Sequence, residues 1–311
     1  MLIEKKYNIA VLVPTLNAGL MWKDFLESVE MQSVAISRKV ILDSGSKDDT
    51  VTLAQQYGYD ILTIDKKDFD HGYARQILAD HEKDVEIAIY LTQDCILANK
   101  DSINNLVEAF QDKKVAIAYG RQLPHKGAKV LETHARLYNY PATSVVKSLD
   151  DKNRMGIKTA SCSNSFAAYR KEALNSIGGF PPNSIFGEDV IVGGQLILKG
   201  WKIAYVGNAE AYHSHNYTIT EEFKRYFDIG VFHSTNHWLL DEFGKADGEG
   251  IKYLKSEIKF VFKNNVLVLP KMLGSIAAKF IGYKLGLQYK KLSFKNIARF
   301  SMHRSYWMKK I

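Results

Sequence analysis

The sequence predicts an α/β fold in which a mostly parallel sheet is flanked by helices and is followed by a basic helical region. Apolar runs of strand length alternate with helical stretches, and this alternation is typical of parallel strands joined by crossover helices. The 311 residues are 46% hydrophobic and 24% charged, which is ordinary for a globular protein and sufficient for a large core. Basic residues are concentrated near the C-terminus, which indicates a second region with a different role.

The first third of the chain holds strands and helices in alternating order. Helices are predicted over 19–32, 49–57 and 73–80, and a later helix over 190–198 is ended by Gly200. The chain has neither a Gly-x-Gly-x-x-Gly dinucleotide fingerprint nor a Gly-x-x-x-x-Gly-Lys phosphate loop, which disfavours hydride transfer and ATP hydrolysis. Strands are predicted over 9–13, 39–42, 60–64 and 86–91.

Polar loops follow three of the predicted strands. Because ligands bind outside the carboxyl ends of the strands in an open parallel sheet, residues Pro14, Thr15, Asp43, Ser44 and Asp94 are expected to converge on one crevice. Two simpler interpretations remain open, since Asp43 also fits a turn into a capped helix and Asp94 also fits a strand terminator. The loops read VPTLNAG (13–19), LDSGSKDDT (42–50) and YLTQDC (90–95).

The two cysteines and the start of the chain bear on its compartment. Cys95 and Cys162 are too few for a disulfide framework and are not spaced as a zinc site, which favours a reducing environment. The chain begins at Met1 and runs directly into a strand-like segment without the pattern of a signal peptide. These features predict a cytoplasmic protein.

Residues 251–311 are strongly basic. They contain fourteen Lys and Arg residues and a single acid, Glu257, so their net charge is +13, whereas residues 1–250 carry −5. The sequence is therefore divided into a main domain over 1–250 and a basic tail over 251–311. Nucleic acid is not the expected partner, because the aromatic residues of the tail form no recognised binding motif.

The start of the tail has the pattern of an amphipathic basic helix. Lys271, Lys279 and Lys284 interrupt its apolar runs, so it is expected to lie on an anionic membrane surface rather than to cross the bilayer. The alternative is that its apolar face packs on the main domain or on a second subunit of a homodimer. The predicted apolar face is Ile251, Leu254, Ile258, Val261 and Phe262.

Six motifs occur in order between residues 13 and 218, and together they carry a resemblance to a known family that extends from about residue 9 to residue 217. The chain resembles family 2 glycosyltransferases of the GT-A fold, and more narrowly the bacterial rhamnosyltransferases that assemble cell-wall and O-antigen polysaccharides. The resemblance implies an inverting enzyme, peripheral on the inner face of the cell membrane, that transfers L-rhamnose from dTDP-L-rhamnose to a lipid-linked polysaccharide precursor. The motifs are VPTLNAG, DSGSKDDT, FDHGYARQ, LTQDC, FGEDVIVGGQLILKGW and HSHNYT.

The resemblance implies that the loops at the strand ends bind a nucleotide-sugar donor. Thr15 and Asp43 would hold the base and ribose, because a carboxylate accepts the N3–H of thymine or uracil. His71 and Arg75 would meet the phosphates or the sugar, since arginine binds oxyanions bidentately, although Arg75 also fits a charge on a helix surface. The donor-binding residues implied are Pro14, Thr15, Asn17, Asp43, Ser44, His71, Arg75, Thr92, Gln93 and Asp94.

The resemblance also implies a divalent cation, Mg²⁺ or Mn²⁺. The family usually carries Asp-x-Asp where the cation bridges the donor diphosphate, but here Thr92 takes the first acidic position and only Asp94 remains. His213 and His215 alternate, so both would face one side of an extended segment, and His213 is expected as the second ligand. Alternatively, both histidines pack within a polar loop.

Asp189 is implied as the catalytic base. Transfer with inversion needs a base for the proton of the acceptor hydroxyl, whereas the leaving diphosphate needs its charge neutralised. Glu188 and Trp201 are assigned to the acceptor side, and residues 120–166 are expected to form an acceptor-facing flap. Taken alone, Asp189 also fits an acid in the first turn of a helix.

Two other functions stay open at this point. An enzyme of the same fold that uses another donor, such as a UDP-hexose, would share every loop described above. A non-catalytic scaffolding subunit of a polysaccharide assembly complex would need its chemistry disabled. Thr92 favours such a subunit, whereas the presence of both Asp94 and Asp189 argues against it.

Overall fold

The computed structural model describes residues 7–246 and 248–308, in which nine strands form one sheet with helices on both faces. The strands are β1 (Ile9–Thr15), β2 (Arg38–Asp43), β3 (Asp60–Thr63), β4 (Ile87–Leu91), β5 (Ile96–Leu97), β6 (Val115–Leu123), β7 (Val145–Lys147), β8 (Phe166–Arg170) and β9 (Lys202–Tyr212). The helices are α1 (Trp22–Glu30), α2 (Thr50–Gln56), α3 (His71–His81), α4 (Ser102–Glu108), α5 (Val130–Asn139), α6 (Lys152–Met155), α7 (Lys171–Ser176), α8 (Glu188–Leu198), α9 (Ile219–Thr235), α10 (Trp238–Phe243), α11 (Glu249–Asn264), α12 (Leu269–Leu287), α13 (Phe294–Phe300) and α14 (Arg304–Met308).

The sheet is parallel in its first half and mixed in its second half. β3, β2, β1 and β4 lie side by side in parallel, which confirms the predicted α/β fold and its alternating elements. β8 pairs antiparallel with β4 and β6, and β9 runs parallel to β6. The full order is β3-β2-β1-β4-β8-β6-β9-β5, and β7 pairs with β9. The carboxyl ends of β1, β2, β4 and β9 therefore meet at one edge of the sheet.

Successive residues of β1 point into two separate cores. Ile9, Val11 and Val13 pack with α1 and α4 on one face of the sheet. Ala10 and Leu12 pack with α3 and α8 on the other face. All five side chains are buried, which explains why the strand is a continuous apolar run rather than an alternating one.

The segment 120–166 is not the single flap that its polar composition predicted. It continues β6 to Leu123, adds α5, and returns to the sheet as β7, which pairs antiparallel with β9. Lys147 at the end of β7 is buried, where its Nζ donates to the carbonyl of Lys158 at 3.0 Å and lies 5.0 Å from the centroid of the Tyr119 ring. These short elements depend on tertiary partners, so the local sequence pattern did not reveal them.

The basic tail packs against the main domain. α12 lies so close to α9 that the carbonyl oxygens of Phe223 and Phe227 occupy the space that a Cβ would need on Gly282 and Gly286. The boundary expected at residue 250 therefore separates two parts that are packed together. α11 lies against α5 through the rings of His134, Tyr138, Tyr253 and Phe260.

The apolar face predicted for α11 is largely exposed. Of the five residues of this face, Ile251 is 63% exposed, Ile258 36% and Phe262 62%. Leu254 is half-buried, and Val261 is buried. The face that packs on α5 also includes the buried Glu257. The exposure of the predicted face disfavours the alternative in which the apolar face packs on the main domain, and the position of this face on a membrane surface stays a prediction.

We expect Gly286→Ala to lower the free energy of unfolding by roughly 1–3 kcal/mol, because the added Cβ would lie 2.0 Å from the carbonyl oxygen of Phe227 and force the two helices apart. The matched control is Gly250→Ala in α11, where nothing lies within 4 Å of an added Cβ. That variant is expected to gain up to about 1 kcal/mol from helix propensity. Urea unfolding measures both, and equal effects would contradict the close packing of α9 and α12.

Candidate active site

The loops after β1 and β2 form one hydrogen-bonded unit. The Thr15 hydroxyl donates to Oδ1 of Asp43 at 3.0 Å, and the Ser44 hydroxyl donates to the Thr15 carbonyl at 3.0 Å. Oδ2 of Asp43 accepts from the backbone N–H groups of Gly45 at 2.9 Å and Ser46 at 2.8 Å. Asp43 thus closes a turn, as the simpler interpretation predicted, and a nucleotide imide would replace one of these internal hydrogen bonds.

Gln93 and Asn17 hold the β1 loop in place. Gln93 accepts from the backbone N–H of Leu16 at 2.8 Å and donates to its carbonyl at 3.2 Å. Asn17 has a left-handed backbone with φ 44, which asparagine tolerates better than most residues, and its Oδ1 accepts from the N–H of Lys47 at 2.8 Å. Together with Pro14 in β1, these residues lie at the predicted edge of the sheet.

Asp94 faces two histidines that follow β9. Nε2 of His213 is 3.6 Å from Oδ1 of Asp94, and Nε2 of His215 is 3.7 Å from Oδ2. The three possible ligand atoms lie within 4.8 Å of one another, so a carboxylate and two imidazoles would fit around one divalent cation. The sequence-based prediction named His213 as the second cation ligand and omitted His215, although the alternation of the two histidines placed both on the same side.

Gln122 fixes the orientation of the His213 ring. Its Oε1 accepts from Nδ1 of His213 at 2.9 Å and also from Arg136, while its Nε2 donates to the Ser163 hydroxyl at 2.8 Å. Nδ1 of His213 therefore carries the proton, and the Nε2 lone pair points toward Asp94, as in metal-binding histidines. Burial lowers the pKa of His213 to about 3, so the ring is neutral and able to bind a cation near pH 7.

A cavity of about 280 Å³ opens beside Thr92 at the end of β4. Its walls come from the first turns of α3 and α8, from the loop before β8, from α9 and from the segment between α13 and α14. The polar side chains among the lining residues include His71, Arg75, Asn164, Glu188, Asp189, Asp228 and His303.

Asp189 lies in the first turn of α8, at the wall of this cavity. The preceding Gly187 has φ 76, and a Cβ there would lie 2.7 Å from the ring of Phe232, so glycine is needed to turn the chain into the helix. Oδ1 of Asp189 accepts from the N–H of Val190 at 2.9 Å, and Oδ2 accepts from the N–H of Asn164 at 3.3 Å. The carboxylate is therefore held in a fixed position.

The pKa values of the two neighbouring acids of α8 are shifted in opposite directions. Burial and the charge of Glu188 raise the pKa of Asp189 to about 7, which suits a general base near neutral pH. Burial alone would raise the pKa of Glu188. The ion pair with Arg75 at 2.9 Å and the hydrogen bond from Nδ2 of Asn164 at 2.9 Å stabilise its carboxylate, so its pKa is lowered. Asp189 rather than Glu188 thus has the properties of the base.

His71 and Arg75 line the cavity beside Asp189, and their contact with the phosphates or sugar of a donor stays a prediction. Arg75 is buried and paired with Glu188, so it is not a charge on a helix surface. Burial lowers the pKa of His71 to about 4, so this ring would meet a ligand through neutral hydrogen bonds. Cys162 donates its thiol proton to the Asp189 carbonyl at 3.3 Å, and burial raises its pKa, which agrees with a packing role.

Trp201 does not lie at the site, so its assignment to the acceptor side is wrong. It follows the far end of α8, and an 11-residue helix rises about 16 Å between its ends. The backbone N–H of Trp201 donates to the Leu196 carbonyl at 3.0 Å, and the indole side chain packs against the core. Conversely, Asn164, Asp228 and His303 were missed, because no motif in the sequence marks them.

The arrangement is suited to sugar transfer to a hydroxyl group. A carboxylate with a pKa near 7 faces a cavity, and a possible cation site lies near loops at the same sheet edge. The fold and site define a glycosyltransferase of the GT-A fold. The chain belongs to glycosyl transferase family 2, whose family model matches residues 10–178.

Two curated relatives match nearly the whole chain. It is 45% identical over 300 residues to the O-antigen chain rhamnosyltransferase RfbN of Salmonella typhimurium (strain LT2), with 96% of each chain covered. It is 42% identical over 301 residues to the O-antigen chain rhamnosyltransferase WbaN of Salmonella anatum, again with 96% of each chain covered.

Solved structures share the fold at low sequence identity. The mannosyltransferase PcManGT from Pyrobaculum calidifontis, in complex with GDP-Man and Mn²⁺, matches with a TM-score of 0.58 and 17% identity over 98% of this chain and 86% of that one. Residues 1–349 of S. aureus TarS match with a TM-score of 0.56 and 14% identity over 98% and 92% of the two chains.

Proposed function

We propose that this protein transfers L-rhamnose from dTDP-L-rhamnose to a lipid-linked saccharide of a cell-surface polysaccharide, with inversion at the anomeric carbon. The observation that carries the proposal is the 45% identity to an O-antigen chain rhamnosyltransferase over 96% of both chains. The pocket supports it, because Asp189 is an oriented base with a pKa of about 7. The thiol of Cys162 is engaged with the backbone carbonyl of Asp189, so a covalent intermediate has no support there.

On the acceptor side, Asp189 takes the proton of the attacking hydroxyl. The N–H groups of Asn164 and Val190 hold its carboxylate, which is ionised above about pH 7. Attack on the face of the sugar opposite the diphosphate gives inversion in one displacement, by the same geometry as an inverting glycosidase. Glu188 stays paired with Arg75 and raises the pKa of Asp189 through its charge.

On the donor side, the diphosphate would lie near Asp94, and the nucleotide base would lie where the loops after β1 and β2 meet, at the hydrogen bond between Thr15 and Asp43. A cation held by Asp94, His213 and His215 would neutralise charge on the leaving diphosphate. The two imidazoles favour Mn²⁺ over Mg²⁺, since Mg²⁺ is bound mainly through oxygen atoms. The N3–H of thymine or uracil would replace one internal hydrogen bond of Asp43.

A donor screen tests the proposal. Purified protein with Mn²⁺ is given labelled dTDP-L-rhamnose, UDP-glucose, UDP-galactose or GDP-mannose, and a panel of octyl glycosides of common hexoses as acceptors. Transfer from dTDP-L-rhamnose alone is expected, with calorimetric binding of dTDP and UDP tighter than that of GDP. Transfer from a UDP-hexose instead would support the other donor, and absence of both donor binding and transfer would support a scaffolding role.

Attachment to the inner face of the cell membrane is the second part of the proposal. The exposed residues of α11, Ile251, Ile258 and Phe262, form an apolar stripe that lies beside exposed lysines. The helical segment Val266–Leu287 is long and apolar enough to cross a membrane, and only 22% of its most apolar part is buried in the protein. One of its faces packs on α9, so surface attachment preserves contacts that a spanning orientation would break.

Phe262→Asp is expected to weaken sedimentation with phosphatidylglycerol vesicles at least tenfold, because it removes an exposed ring from the apolar stripe and adds negative charge. The control is Met31→Asp at the end of α1, which is similarly exposed at 65% but lies outside the tail. Binding of the parent should weaken as salt rises. Equal binding of Phe262→Asp and the parent would place the membrane contact elsewhere.

A further inference from the structure

One wall of the active-site cavity comes from the basic tail, 251–311, which was predicted to lie on a membrane surface. Met302 and His303, which connect α13 to α14, line the cavity opposite residues from the main domain. The His303 ring lies edge-on to His71, with 5.3 Å between ring centroids, and parallel to Phe186 at 6.4 Å. The basic tail therefore contributes directly to the pocket that holds Asp189.

Asp228 of α9 stands beside this wall with half of its carboxylate unused. It is 1% exposed, and its Oδ2 accepts from the backbone N–H of Met302 at 2.9 Å. The Ser301 hydroxyl and the backbone N–H of His303 also interact with this carboxylate. Within the described ranges, 7–246 and 248–308, Oδ1 has no hydrogen-bond partner of good geometry. A buried acceptor without a partner costs free energy, which a ligand with a hydroxyl donor would recover.

The position of Asp228 favours the acceptor rather than the donor. Asp228 and His303 line the cavity that holds Asp189, and neither belongs to the cluster of Asp94, His213 and His215. The preceding residue, Phe227, contacts Gly286 of α12 through its carbonyl group. α9 thus connects the cavity to the region proposed to lie on the membrane, from which a lipid-linked acceptor would approach.

We propose that Asp228 and His303 form the acceptor-sugar subsite, in which Oδ1 of Asp228 accepts a hydrogen bond from a hydroxyl of the sugar that Asp189 activates. This inference rests on the proposed function. Phe186 also lines the cavity, where its aromatic ring would contact the apolar face of the acceptor sugar. Burial raises the pKa of Asp228 to about 6, so its carboxylate is largely charged at pH 7.5 and forms a strong hydrogen bond to a hydroxyl.

Asp228→Asn tests the subsite with little change in shape. The N–H of Met302 needs an acceptor, so the asparagine oxygen is expected to face Met302 and its NH₂ group to face the cavity. The KM for the best octyl glycoside should rise roughly 10- to 100-fold, while the Kd for dTDP-L-rhamnose and its slow hydrolysis by water stay unchanged. The control is Asp241→Asn, the same change at a 70% exposed acid of α10.

Deoxy analogues of that glycoside identify the hydroxyl. One analogue should lose 10- to 100-fold in kcat/KM with the parent and little more with Asp228→Asn, because the same hydrogen bond has already been removed. An unchanged acceptor KM, a fall in kcat alone, or an equal loss of donor affinity would overturn the subsite. If Asp228→Asn melts at a much lower temperature than the parent, His303→Asn replaces it, with the same expected rise in acceptor KM.

A failure of the proposed function is distinguishable from a failure of the subsite. If the parent transfers no rhamnose, the donor proposal fails while acceptor binding is still measurable by saturation-transfer NMR with the octyl glycosides. Weaker glycoside signals for Asp228→Asn than for Asp241→Asn would then support the subsite. Equal signals for the two variants would overturn it.

Discussion

Asp189→Asn is expected to lower kcat by roughly 10²–10⁴-fold while donor binding stays close to that of the parent. The loss is the usual contribution of a positioned general base, because the amide cannot take the proton of the acceptor hydroxyl. Its hydrogen bonds from Asn164 and Val190 involve acceptor oxygens, of which the amide keeps one. Rapid-quench kinetics with labelled donor measure kcat, and calorimetry measures donor Kd.

The pH dependence provides a second test of the same residue. Because burial and Glu188 raise the pKa of Asp189 to about 7, the parent should lose activity as the pH falls through 7 and the carboxylate becomes protonated. Asp189→Asn should lack this acidic limb. Asp241→Asn serves as the control for removal of one negative charge, and circular dichroism must show that each variant is folded. Near-normal transfer by Asp189→Asn would make Glu188 the next acid to test.

Asp94→Asn is expected to raise the concentration of Mn²⁺ needed for half-maximal activity by at least tenfold and to weaken donor binding. It removes the carboxylate of the three-ligand cluster, and ligand substitutions of this kind change cation affinity strongly. In the absence of cation, parent and variant should bind the donor equally weakly, so the difference between them should depend on Mn²⁺. The parent should also respond to lower concentrations of Mn²⁺ than of Mg²⁺.

His215→Gln separates the cluster from a simple structural role of Asp94. The side chain is half-exposed, so its loss is expected to affect stability little, whereas the Mn²⁺ requirement should rise as it does for Asp94→Asn. Equal responses of parent and both variants to Mn²⁺ would contradict a cation site. Asp94 would then serve only to end β4.

The first half of the fold was predictable because its central strands, β1 and β4, are buried on both faces and the loops that follow them are polar. Continuous apolar runs such as β1 and β4 stand out in the sequence, and their carboxyl ends place Thr15, Asp43 and Asp94 at one edge. The cluster of Asp94, His213 and His215 was partly predictable for the same reason, since alternation put the two histidines on one side. The sequence could not show that Gln122 would select the ring nitrogen that faces Asp94.

The errors arise where distant segments decide the outcome. Trp201 is close to Asp189 in sequence, but α8 carries it to the opposite end of the helix. The face of α11 that packs on α5 was not predicted at all, because its aromatic partners in α5 have no local signal in the tail. Asp228 and His303 are separated by 75 positions and meet at the cavity only because α9 and the segment before α14 pack together.

The contribution of His303 to the cavity also affects how the protein should be handled. An affinity tag at the C-terminus would be attached only a short stretch of chain from the cavity wall, because Met308, the last residue that the structure describes, follows His303 by five positions. The amino-terminal end of β1 lies at the edge of the sheet opposite the active site. A tag, a fluorescent label or a surface linker is therefore best attached before β1, which begins at the sheet edge away from the cavity.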